Sequence, residues 1–97
     1  MMMKANRNTG RWSEGEPAAP TLLRLWLKRH ERTGASLADA LGVTPGAVSM
    51  YLSGQRRPDP VRIIAIRNAT GITPDAWLSG GELDECNAIT QRVLHGE

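Results

Sequence analysis

Three times in this chain a side chain that can accept a hydrogen bond stands directly before a proline: Thr44-Pro45, Asp59-Pro60 and Thr73-Pro74. Each pair spells the start of a helix. Proline at the first helical position gives up an N–H that has no partner there, and its fixed φ suits the helix. The preceding Thr or Asp can accept from an N–H one turn on. Helices are therefore expected to begin near residues 45, 60 and 74. Glycines then stop them, at Gly54, Gly71 and the Gly80-Gly81 pair. No stretch alternates apolar and polar residues as a half-buried strand would. The fold class that follows is all-α, with short helices and tight turns.

Upstream, "TLLRLWLKRHER" places Leu23, Trp26, Leu27 and His30 at i, i+3, i+4 and i+7, one face of a helix with Thr21 as its expected cap. "GASLADAL" gives a second helix, capped by Thr33, with Leu37 and Leu41 inward and Gly42 as its stop. Beyond Gly81, Leu83, Cys86, Ile89 or Thr90, and Val93 recur at helical spacing and predict a sixth helix. Residues 1–19 show no apolar period and read as a flexible arm. Residues 20–80 form the expected domain and 81–97 a helical tail. Trp26 and Trp77 are expected in the core; Trp12 is undecided.

The net charge of +2 is unevenly placed. Residues 1–81 carry eleven Lys or Arg against six Asp or Glu, whereas residues 82–97 carry one Arg against four acids. A basic body with an acidic tail suits a polyanionic partner. A single cysteine, Cys86, excludes an internal disulfide, and His30 and His95 stand too isolated to complete a metal site. The polar N-terminus lacks the apolar core of a signal peptide, and no run is long enough to span a bilayer. We expect a cytoplasmic, non-enzymatic protein with no cofactor, no metal and no membrane contact, because no nucleophile motif, phosphate loop or carboxylate pair stands out.

Function concentrates between helices 2 and 3. "GVT" is too short for a hairpin of long helices but fits a helix-turn-helix. Ala38 is small where the two helices must cross closely, Gly42 makes the turn, and Val48 and Tyr51 plug the angle between them. An ordinary corner in a helical core would also use such residues. At "SLADALGVTPGAVSMYLSGQRRP" and the following "IRNATGITPDAWL" the chain resembles the Cro/repressor-type (Xre-like) helix-turn-helix family, including small Cro- and YdaS-like phage regulators. The resemblance covers residues 21–79. It implies a five-helix DNA-binding domain, commonly dimeric, with helix 3 in the major groove of a palindromic operator on double-stranded DNA.

Three features depart from that pattern. Gly34 stands where relatives often begin helix 2 with a phosphate-touching Gln, leaving only its backbone N–H for an anion. Leu27 and Leu52 stand where relatives pair an Arg with a Glu, which predicts an apolar clasp in place of an ion pair. Third, the front of helix 3 is Pro45, Gly46 and Ala47, which offer bases smallness rather than hydrogen bonds. Base contact then falls to Ala47, Ser49 and Met50, with Gln55 and Arg56 beside them and Thr44 partly occupied as a cap. Ser53, Gln55, Arg56 and Arg57 are the expected backbone contacts. Lys4, Arg7 and Arg11 of the arm are candidates for a minor groove.

The expected function is a sequence-specific transcriptional regulator, acting as a repressor and as a homodimer built from helix 5, at Trp77 and Leu78, and the tail. Two alternatives remain open. One is the antitoxin of a toxin–antitoxin pair whose tail holds the toxin. The other is a protein-interaction module that keeps the fold without using DNA.

Overall fold

The computed structural model describes residues 15–96. Among these, every regular element is helical: α1 (Ala19–Arg29), α2 (Gly34–Leu41), α3 (Pro45–Ser53), α4 (Pro60–Thr70), a 3-10 turn (Pro74–Trp77) and α5 (Gly80–Leu94). The chain divides into two compact units, one of which, Ala18–Trp77, holds α1 to α4 and the 3-10 turn. The flexible arm expected over residues 1–19 lies mostly outside the described residues, with Lys4, Arg7, Arg11 and Trp12.

Helix α1 begins two residues ahead of the expected Thr21 cap. Its cap residue is Ala18, without a side-chain bond, and Pro20 sits in the first turn. Thr21 lies inside the helix, its hydroxyl oxygen accepting from Arg24 Nη2 at 3.1 Å. The helix closes with Arg32 N–H donating to the Leu27 carbonyl at 2.8 Å, while Glu31 takes a left-handed φ of 54°. His30, expected inward, is exposed. Trp26 is only half-buried: the His30 ring tilts against it with centroids 4.5 Å apart, and the Arg32 guanidinium lies 5.9 Å from its ring centre.

Around α2 the local chemistry follows the sequence closely. Thr33 and Ser36 form a reciprocal capping box, with Ser36 N–H donating to Thr33 Oγ1 at 3.0 Å and Thr33 N–H to Ser36 Oγ at 3.2 Å. Gly42 ends the helix at φ 74°, a conformation that costs other residues about 1–2 kcal/mol. Val43 N–H then donates to the Ala38 carbonyl at 3.0 Å and starts the chain toward α3. Thr44 caps α3 by accepting from Ala47 N–H at 3.1 Å.

Asp59 precedes α4 without capping it. Its carboxylate instead pairs with Arg62 Nη1 at 3.3 Å. The same arginine donates from Nε to the Leu41 carbonyl at 3.1 Å, serving one of the unpaired carbonyls at the end of α2.

Beyond α4 the expected fifth helix shrinks to the 3-10 turn Pro74–Trp77, closed by Ala76 N–H to the Thr73 carbonyl at 3.0 Å. Gly80 and Gly81 do not stop it; they open α5. Ser79 and Glu82 form a second capping box there, which fixes the start of that helix.

The core of the Ala18–Trp77 unit joins Ala19 and Leu23 of α1, Ala38 of α2, Val48 and Tyr51 of α3, and Ile66, Ile72 and Trp77 from the C-terminal half. Each large side chain fully buried there contributes about 1.5–3 kcal/mol. Trp77 is 2% exposed and its indole Nε1 is buried without a partner. So deep a side chain cannot anchor a dimer, which removes Trp77 from the expected pairing surface.

Candidate nucleic-acid interface

The site is built on the corner between α2 and α3, the most extensively packed pair among the described elements. Ala38, 1% exposed, gives the close crossing that its small size allows. Val48 and Tyr51 point inward from α3 and are buried. A Cβ built on Gly34 would lie 3.6 Å from Val48 Cγ1 and 3.9 Å from Leu52 Cδ1, so the start of α2 rests against α3. Gly34 is half-buried in this contact at the first position of α2.

With Val48 and Tyr51 turned in, the opposite face of α3 is set by helical geometry. Pro45, Gly46, Ser49, Met50 and Ser53 fall along it, and all five are exposed. Gly46 has open space where a side chain would be: the nearest atom to a built Cβ is Thr44 Oγ1, at 3.8 Å. Met50 is 42% exposed. Ala47, in contrast, is half-buried and packs on the core, so it is not part of this stripe. Thr44 is exposed at the head of the helix, its oxygen engaged by Ala47 N–H.

The chain leaving α3 is held in place by one carbonyl. Met50 O accepts from Gln55 N–H at 3.0 Å, from Arg56 N–H at 3.3 Å and from the Ser53 hydroxyl at 3.2 Å. Gly54, in the left-handed region at φ 82°, makes that return possible. Gln55, Arg56 and Arg57 are therefore exposed on a turn fixed to the last residues of α3, and buried Pro58 ends it. From Val43 to Pro58 the chain carries two arginines and no acid.

Two positioning arginines escaped the sequence reading. Arg24 of α1 donates from Nη1 to the Leu52 carbonyl at the end of α3. Arg62 of α4 does the same for the end of α2. Both helices of the corner are thus tied down at their C-termini by cations from neighbouring helices, where the helix dipole favours them. Arg24 thus ties α1 to the end of α3 at Leu52, the residue expected to meet Leu27 in an apolar clasp. Leu27 is buried beside Leu37 and Ala40 of α2 and Ala69 of α4, lining a cavity of about 110 Å³, while Leu52 packs toward Gly34.

The sequence profile of the helix-turn-helix family matches residues 23–77, more than half of the chain. The chain belongs to this family, in its Cro/repressor-type (Xre-like) branch. The matched span runs from the buried Leu23 of α1 to the buried Trp77 and so contains the whole α2–α3 corner. No curated protein and no solved structure shows a significant match to the chain. As a helix-turn-helix protein, it is a DNA-binding regulator. Among its described residues no group of three His, Cys, Asp or Glu could hold a metal ion, and no helix is long and apolar enough to cross a membrane.

Proposed function

We propose that this helix-turn-helix protein is a sequence-specific repressor that binds double-stranded DNA as a dimer and occupies a palindromic operator. The observation that carries the proposal is the exposed stripe Pro45–Gly46–Ser49–Met50–Ser53, continuous with the acid-free turn that presents Gln55, Arg56 and Arg57. A helix so thin at its front can lie deep in a major groove. There the Ser49 hydroxyl meets a base edge and the Met50 side chain covers a thymine methyl. Gln55 stands beside them. Arg56 and Arg57 hold phosphates, together with Ser53, the Thr44 hydroxyl and the N–H of Gly34 at the head of α2. Ala47 serves by its size, letting the helix settle on its own core.

Few groups read bases, each good contact discriminating by about 1–3 kcal/mol. A two-fold pair doubles that discrimination and sets half-sites about one helical turn apart. Repression follows from occupancy, since an operator so covered is closed to polymerase. A titration of the full chain on a labelled duplex from upstream of its own gene, and on a scrambled duplex of equal length, tests this. The expected result is binding tighter on the upstream duplex by about 10³-fold or more. Equal affinity for the two would refute sequence-specific recognition there.

A further inference from the structure

Helix α4 has the backbone of a capped start and no side-chain cap. Asp59 is extended, at φ −70° and ψ 166°, and Pro60 follows in the first turn. An aspartate so placed ordinarily accepts from an N–H of that turn. The Asp59 carboxylate goes instead to Arg62 Nη1 at 3.3 Å, and the same guanidinium serves a second segment. Its Nε donates to the Leu41 carbonyl at 3.1 Å, and a Cβ built on Gly42 would lie 3.6 Å from its Nη2. Arg62 is half-buried there, against the left-handed turn between α2 and α3. The backbone of that turn serves the Ala38 and Asp39 carbonyls, through Val43 N–H and Gly42 N–H, and Leu41 is left to Arg62.

These bonds join the two ends of α3 by a route outside α3. Leu41 leads through Gly42 and Val43 to Thr44, the cap at its head. The foot of α3 leads through Gln55, Arg56, Arg57 and buried Pro58 to Asp59. We infer that Arg62 is a positioning residue for DNA: clamped to Leu41 and Asp59, it fixes the spacing between the head of α3 and the turn that carries Arg56 and Arg57. This rests on the DNA-binding reading above. Phosphates on the two sides of a major groove stand at a set distance, so anchors at both ends of α3 hold them only at one spacing. Arginine suits the task, because its planar fork holds a carbonyl and a carboxylate together, which the point charge of a lysine does not. Asp59 is the first acid after the basic turn, and its own charge repels phosphate. What it adds to DNA binding it adds through Arg62.

Anisotropy titration of a random duplex with the full chain tests this, with thermal unfolding of the same samples to establish that each variant is folded at the titration temperature. Arg62→Gln should weaken binding by about 3- to 10-fold, the size of a coupling within one bonded network. Arg62→Lys keeps the charge and should lose as much. Asp59→Ala separates charge from position by sign. Removing an acid near phosphates tightens binding if charge alone matters, whereas removing the partner of Arg62 should weaken it by about 3-fold or more. Once Arg56→Ala and Arg57→Ala are in place the spacing has little left to position. In that chain Arg62→Gln should change affinity by less than about twofold.

Full affinity in Arg62→Lys would reduce Arg62 to a charge and overturn the proposal. So would unchanged or tighter binding by Asp59→Ala. Losses that simply multiply when Arg62→Gln is combined with Arg56→Ala and Arg57→Ala would do the same, since a general weakening of the fold or a direct phosphate contact from Arg62 gives that result. The Asp59 side chain is 49% exposed, so Asp59→Ala, alone and in the same combination, decides the matter even where Arg62→Gln unfolds the chain. An unaltered chain that binds no duplex removes the DNA-binding reading and the proposal with it. An unaltered chain that binds, with variants that behave in any of the contrary ways above, overturns the proposal alone.

Discussion

Replacing Gly46 separates what α3 contributes to the fold from what it does on DNA. Glycine lowers helix stability, and a Cβ at this position meets only Thr44 Oγ1, 3.8 Å away, an ordinary van der Waals distance. Gly46 also lies outside the positive-φ glycines, so no backbone strain opposes a side chain. Gly46→Ala should therefore stabilise the domain by about 0.4–1 kcal/mol, chiefly by restricting the unfolded chain. For a domain of this size that raises Tm by about 2–8 °C. Gly46→Leu should fold equally well, its side chain standing in solvent on the exposed stripe beside Met50. On DNA the expectation reverses. A leucine at the front of α3 fills the space between helix and groove floor, and overpacking of a close-fitted contact costs about 1–3 kcal/mol. Affinity should fall by about 5- to 150-fold. Thermal unfolding followed by circular dichroism, and anisotropy titration on a bound duplex, read the two effects independently. A Gly46→Leu chain with raised Tm and unchanged DNA affinity would refute the claim that the front of α3 enters the groove.

Six further substitutions probe the rest of the corner. Arg56→Ala and Arg57→Ala should weaken binding to specific and random duplexes alike and lower the slope of log K against log salt by about 0.9 each, whereas Ser49→Ala should act mainly on the specific duplex; titrations at several salt concentrations distinguish these. Gly42→Ala forces a Cβ into the left-handed turn at φ 74° and should cost about 1–2 kcal/mol of stability, while Gly42→Asn, which tolerates that region, should cost less; denaturant unfolding measures both. Arg24→Ala removes the donor at the Leu52 carbonyl and should cost about 0.5–1.5 kcal/mol, a modest loss because Arg24 is exposed, read from the same unfolding curves.

Local signals in the sequence carried most of the corner. Thr33, Gly42, Thr44 and Gly54 do in the structure what their chemistry announces, because a cap or a left-handed stop depends only on residues within one turn. The same rule misled at Thr73-Pro74. A start signal there is followed within six residues by a second one, Ser79-Gly-Gly-Glu82, and a capping box outranks a glycine pair as punctuation. Asp59 shows the limit of the rule from the other side: Arg62, three residues on, takes its carboxylate away from the helix it precedes. Tertiary ties were not legible. Arg24 and Arg62 look like solvent-facing cations in the sequence, and only the packing of α1 and α4 brings them to the ends of α3 and α2. Of the candidate site, the exposed stripe was legible because Val48 and Tyr51 fix the inward face of α3. Ala47 was not, since its place between stripe and core depends on how closely α3 approaches α2.

Selection of bound sequences from a random duplex library, run in parallel with the unaltered chain and with Ser49→Ala, tests most directly whether α3 reads DNA. The unaltered chain is expected to enrich a two-fold-related motif with half-sites about one helical turn apart. The Ser49→Ala chain is expected still to bind DNA but to lose preference at one position in each half-site. An unaltered chain that enriches no sequence, or a Ser49→Ala chain that enriches the identical motif with the same strength at every position, would contradict it.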